Sequence, residues 1–119
     1  MTNELQTARL LDYILLPLKR RRRFRVTGAS MLPTLRDGEI VLLDPNAYRR
    51  QPPRVGDIVV AKHPFEMDVK LIKRITAVTE DGRFHLQGDN PSALASTDSR
   101  SFGPVPQSTI LGRLTSRFP

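Results

Sequence analysis

The spacing of apolar residues along this chain changes period once. In TNELQTARLLDYILLPL, Leu5, Ala8, Leu11 and Leu15 recur at helical spacing, Thr2 or Asn3 can cap the start, and Pro17 stops the run. That pattern predicts a short N-terminal amphipathic helix. From Phe24 the period becomes two. FRVTG, EIVLLD, VGDIVVAKH, VKLIKRITAV, RFHLQG and ILGRLTSR read as six strands. Turns at RDG, PNAYRRQPP, HPFEMD and EDG join them, together with one long loop, GDNPSALASTDSRSFGPVP. Loops of that length in a compact domain are more often functional than filler. The expected fold is mainly β.

One strand breaks its own pattern. In VKLIKRITAV, Val69, Leu71, Lys73, Ile75 and Ala77 fall on one face, and Lys70, Ile72, Arg74, Thr76 and Val78 on the other. The first face is apolar except for Lys73. An ammonium held on an apolar face loses hydration, so its charged form is disfavoured and its pKa falls toward neutrality. A neutral lysine can take a proton from a serine near pH 7. Ser30, in GASMLPTL, follows a strand and sits in a turn rich in small residues, where a hydroxyl can face a cleft and backbone N–H groups lack strand partners. Together the two residues suggest a Ser–Lys dyad, an alternative to the Ser–His–Asp arrangement. Taken separately, each has a plainer reading: loop serines are usually caps or turn residues, and strand lysines usually sit on edges or reach to water.

Composition narrows the chemistry. At 119 residues the chain is one domain with a single core. It has no Cys, which removes disulfides, thiol nucleophiles and thiolate metal sites, and only two His, His63 and His85. No metal or cofactor is called for. The formal net charge is +7, but six of the 19 basic residues, Lys19, Arg20, Arg21, Arg22, Arg23 and Arg25, lie in KRRRRFR; the remaining 13 face 12 acidic residues, a balance of +1. The basicity is therefore a local patch, read as a solvated surface or as a site attracting anionic lipid, an acidic partner or a leader peptide. The N-terminal apolar run, broken by Asp12, is about half the ~20 residues that a membrane span needs. It also lacks the charge order and small-residue cleavage site of a signal peptide. The expected location is cytoplasmic, with peripheral membrane contact through the arginine cluster.

Four segments in order, SMLPTL (30–35), RVGDIVV (54–60), IKRI (72–75), and GDN (88–90) followed by STDSRSFGPV (96–105), make the sequence resemble the signal peptidase I family of serine proteases. The short length and the GDNP…STDSR…FGPVP ending look most like its nickel-type superoxide dismutase maturation protease branch. The resemblance implies partly open, barrel-like antiparallel sheets, with residues 1–23 as helix and basic cluster and 24–119 as the protease domain. It implies a serine endopeptidase that removes an N-terminal leader, from a nickel superoxide dismutase precursor in that branch. Ser30 would be the nucleophile, with its N–H serving the oxyanion, and Lys73 the general base. Ser96 would orient the Lys73 amine. Asp98 and Arg100 would pair to hold the long loop, Gly88, Asp89 and Asn90 would make its first turn, and Met31 would pack beside the cleft. The chain departs from the family at Gly28, where some members carry a second oxyanion donor. It also has five residues, PSALA, between Asn90 and Ser96, a longer spacing that makes Ser92 the lesser rival for Ser96.

Two other readings compete. A self-cleaving repressor-type protease shares the Ser–Lys chemistry, but no helix-turn-helix precedes the strands. A non-enzymatic basic β module could bind nucleic acid or anionic lipid through KRRRRFR, but few aromatic residues are available for stacking and the body is nearly neutral. Nucleic acid is therefore not an expected partner.

Overall fold

The computed structural model describes residues 5–7, 21–92 and 98–118. Seven strands form one open sheet: β1 (Gln6–Thr7), β2 (Arg22–Arg25), β3 (Ile40–Asp44), β4 (Ile58–Lys62), β5 (Lys70–Val78), β6 (Phe84–Gln87) and β7 (Ile110–Phe118). Their order is β2-β3-β7-β4-β5-β6, all antiparallel, and β1 adds in parallel to β7 at Ser116 and Arg117. A single turn of helix, α1 (Ser99–Phe102), and a 3₁₀ turn at Gln107–Thr109 interrupt the return from β6 to β7. The mainly β, open antiparallel architecture expected from the sequence is present, gathered into one sheet.

The strand order follows from burial. β4 has Ile58, Val59, Val60 and Ala61 buried in succession, because it is covered on both faces rather than one. On one face Ile58, Val60, Ile72 and Leu114 pack with Met31, Leu35, Val41, Leu43 and Leu5. On the other, Val59, Ala61 and Ile75 pack with Phe84, Leu86 and Val105, flanked by Tyr48 and Phe102. Each of the larger buried side chains contributes about 1.5–3 kcal/mol. β5 is therefore a central strand with a core on either side.

Two boundaries differ from expectation. Gln6–Thr7 is a strand, not the first turn of a helix: pairing with β7 satisfies its backbone, and Leu5 is buried in the core. The rest of the expected helix, from Ala8 on, lies outside the described residues, as do Lys19 and Arg20 of the basic cluster. β2 begins at Arg22, within the arginine cluster, because Arg22 and Arg23 pair with Leu43 and Leu42 of β3. No helix among the described residues is long and apolar enough to cross a membrane.

Candidate active site

Lys73 lies near the middle of β5, paired with Val59 of β4, and is 3% exposed. Burial pushes its pKa down; the Asp98 carboxylate pulls it up, and the Arg100 guanidinium pushes it down again. Because the two nearby charges oppose each other, desolvation decides the direction. The amine makes no hydrogen bond or ion pair with any described residue.

The turn carrying Ser30 is fixed at several points. Gly28 has φ +83, a left-handed conformation that favours glycine, and its N–H donates to Asp37 Oδ1 at 2.8 Å. Glycine enters this left-handed turn without strain. Met31, the residue after Ser30, is 1% exposed and anchors the turn in the core with Ile58 and Ile72. Leu35 N–H donates to the Met31 carbonyl at 2.9 Å. Ser30 itself is half-buried. Its N–H has no acceptor among the described residues.

Gly88 and Asn90 grip this turn from the end of β6. Asn90 N–H donates to the Ser30 carbonyl at 2.9 Å, and Asn90 Nδ2 donates to the Ala29 carbonyl at 2.9 Å. A Cβ on Gly88 would fall 2.5 Å from Ser30 O and 3.2 Å from Ser30 Cβ, so glycine is needed for the close approach. Gln87 pairs with Arg74. Continued by one residue, that register sets Gly88 opposite Lys73, which brings the Ser30 turn to the strand carrying the lysine. No hydrogen bond joins Ser30 Oγ to Lys73 Nζ; such contacts are often long in the free state of an enzyme and tighten around substrate.

Arg74, the next residue along β5, faces the other way and is fully engaged. Its Nε and Nη2 donate to Asp89 Oδ1 and Oδ2, each at 2.9 Å, and Nη1 donates to the Gly56 carbonyl at 2.7 Å. Thr34 Oγ1 adds a 2.5 Å bond to Asp89 Oδ2. Burial opposes ionisation of Asp89, but the bonds from Arg74 and Thr34 hold its carboxyl below the usual range. Asp89 thus ties the serine turn to β5, a role beyond the turn assigned from sequence. The fork geometry that arginine shares with carboxylates was the available signal.

Asp98 is fully buried. Arg100 Nη2 and Nε reach it at 2.7 Å and 3.1 Å, and Gly88 N–H donates to its Oδ2 at 3.2 Å. It also caps α1, accepting Arg100 N–H at 2.9 Å. Ser99 Oγ accepts the Leu86 N–H at 2.8 Å, stitching α1 to β6. Neither α1 nor Ser99 was expected, although Asp98 as cap and Gly103 as terminator, with φ +83, bracket the helix in the sequence. Ser96 lies outside the described residues; Ser92 is exposed, with its N–H donating to Asn90 Oδ1 at 2.9 Å.

Comparison with known proteins assigns the chain to a family. Residues 13–82, which include Ser30 and Lys73, match the family described as signal peptidase, peptidase S26. Mitochondrial inner membrane protease subunit 1 of Xenopus tropicalis is 34% identical over 110 residues, covering 76% of this chain and 65% of the relative. The protein of the same name from Schizosaccharomyces pombe is 34% identical over 110 residues, covering 76% of this chain and 69% of the relative. A probable signal peptidase I-1 of Synechocystis is 26% identical over 136 residues, covering 78% and 68%. The chain thus spans about two thirds of the length of these relatives. On the family match and these identities together, it belongs to the signal peptidase S26 family.

Proposed function

We propose that the chain is a serine endopeptidase that removes an N-terminal leader, with Ser30 as nucleophile and Lys73 as general base. The observation that carries this reading is Lys73 itself: a lysine 3% exposed, its charged form disfavoured by burial, on the strand beside a clamped serine turn. Ser30 Oγ attacks the scissile carbonyl as neutral Lys73 accepts its proton, and the Ser30 N–H donates to the oxyanion. The tetrahedral intermediate collapses, and Lys73 delivers the proton to the leaving amine. Water then attacks the acyl-enzyme with Lys73 again as base, freeing Ser30. In this scheme Ser96 orients the amine, and the Asp98–Arg100 pair keeps the long loop against the site while cancelling much of its own field there.

The substrate we infer is a nickel superoxide dismutase precursor. Its support is the GDNP…STDSR…FGPVP resemblance; the relatives are mitochondrial inner membrane proteases and signal peptidases by name and do not point to that precursor. Their names do favour work at a membrane surface, with exposed Arg22, Arg23 and Arg25 available to meet anionic lipid. Co-expression with a leader-bearing dismutase, followed by N-terminal sequencing of the dismutase, tests both levels. The mature N-terminus should appear with the wild type and not with Ser30→Ala or Lys73→Ala. Processing by either variant would overturn the dyad; wild-type cleavage of other leaders but not this one would overturn the substrate alone.

A further inference from the structure

Arg117, near the end of β7, spans three acceptors from separate stretches of the chain. Its Nη1 donates to the Leu5 carbonyl, its Nη2 donates to the Thr34 carbonyl at 2.9 Å, and its Nε pairs with Glu39 Oε2 at 3.3 Å. Leu5 leads into β1, whose Gln6 and Thr7 lie against Ser116 and Arg117. Thr34 belongs to the turn that carries Ser30. One guanidinium thus joins the N-terminal strand to the turn of the nucleophile.

The packing repeats this join. β4 pairs with β7 no further than Arg113, β3 covers the opposite edge as far as Phe118, and β1 takes the place that β4 leaves. There Leu5 is buried in the same apolar cluster as Met31 and Leu35, the residues that follow Ser30 and Thr34. Glu39, held by Arg117, accepts the Arg36 N–H at 3.1 Å and so fixes the far end of the turn. Thr34 is held from two sides: its hydroxyl bonds Asp89, the partner of Arg74, and its carbonyl accepts from Arg117. Anchoring β1 would need only its backbone pairing with β7, yet the guanidinium reaches past that pairing to the turn. Displacing a nucleophile by about 1 Å can cost about 100-fold in rate, so such a brace bears on catalysis.

We propose that Arg117 is a positioning residue for peptide cleavage, through which docking of the N-terminal strand sets the place of the Ser30 turn. The proposal rests on the peptidase reading above. Lysine cannot substitute, because a single ammonium cannot span acceptors arrayed around a planar fork.

Three variants test it. Arg117→Met and Arg117→Lys remove the join, and Leu5→Asp releases the strand while leaving the guanidinium in place. Each is assayed on a leader-type peptide at a temperature where circular dichroism shows it folded. Hydrogen exchange is followed at the Leu32 and Leu35 amides, which bond the Ala29 and Met31 carbonyls within the turn. In all three, kcat should fall by about ten-fold or more with KM changed by less than about two-fold. The two amides should exchange about ten-fold faster, while those of β5 stay protected. The acidic limb of the pH profile should not move, since Lys73 keeps its burial. A merely structural role would lower the denaturation midpoint and leave the kcat of the folded protein alone. Unchanged kcat in any folded variant, a loss confined to KM, or slow exchange in the turn while kcat falls would overturn the proposal. Arg117→Lys, the gentlest change, decides the matter if the methionine variant does not fold. If the wild type cleaves no leader yet the turn loosens in the variants, the peptidase reading fails and the join between strand and turn stands.

Discussion

Lys73 and Arg74 are neighbours on β5 with opposite fates. Arg74 faces the Asp89 side, where a bidentate carboxylate and a carbonyl saturate it and its pKa is raised, first by the hydrogen bonds to Asp89. Lys73 faces the second core, where burial lowers its pKa and no described residue bonds its amine. One cation is spent on joining the serine turn to the sheet; the other is left able to exchange a proton. The difference lies in the partners each face supplies, since both side chains leave the same strand at adjacent positions.

The most severe test of that division is Lys73→Arg. Guanidinium cannot act as a base at neutral pH, so kcat/KM for leader cleavage should fall by at least about 10³-fold with the circular dichroism spectrum retained. Gly88→Ala should come next. Its Cβ would press on the Ser30 carbonyl, displacing the turn, so activity should drop by about 10- to 100-fold with a stability loss of about 1–3 kcal/mol in urea unfolding. Arg74→Met belongs to the other side of the comparison: it strands a partly buried Asp89, which should cost about 2 kcal/mol in urea unfolding, and it loosens the serine turn, so the remaining folded protein should lose some kcat but far less than Lys73→Arg. If Arg74→Met were as inactive as Lys73→Arg while still folded, the contrast between the two cations would collapse.

Two finer predictions follow the charge on Lys73. Arg100 lowers the lysine pKa, so Arg100→Gln leaves the Asp98 carboxylate less balanced and should move the acidic limb of the kcat/KM profile to higher pH. An unmoved limb would mean that the ion pair does not act on the base. Lys73→Met should change stability in a pH-dependent way. The folded pKa lies below the unfolded value of about 10.5, so between the two the unfolded state binds more protons and wild-type stability rises with pH. The variant should therefore be relatively more stable than wild type at neutral pH, with the advantage shrinking as pH approaches the unfolded pKa, read from denaturation midpoints across that range.

Much of this contrast is legible in the sequence. Two-residue alternation exposed Lys73 as the misplaced polar group and located the six antiparallel strands to within a few residues. The pairing of Arg74 with Asp89 was not legible, because the two residues are brought face to face only when β6 folds back on β5. The same holds for α1, a single turn whose stability comes from Asp98 and Ser99 bonding to Gly88 and Leu86 rather than from helical periodicity. At the N-terminus, helical spacing was overridden for Gln6 and Thr7, where β7 offered backbone partners.

The sequence by itself determined the strands and the one lysine that does not match its face, because side-chain period and desolvation are local properties of the chain. It also carried the ordered motifs that mark the family. Only the tertiary structure decided how the nucleophile candidate is held: Gly88 leaves room for the Ser30 backbone, Asn90 bonds it, and Asp89 ties Thr34 to Arg74. It likewise decided that four arginines from distant stretches of the chain, Arg21, Arg49, Arg50 and Arg113, line one pocket. These are long-range contacts, fixed by how the sheet is ordered, and no period along the chain encodes them.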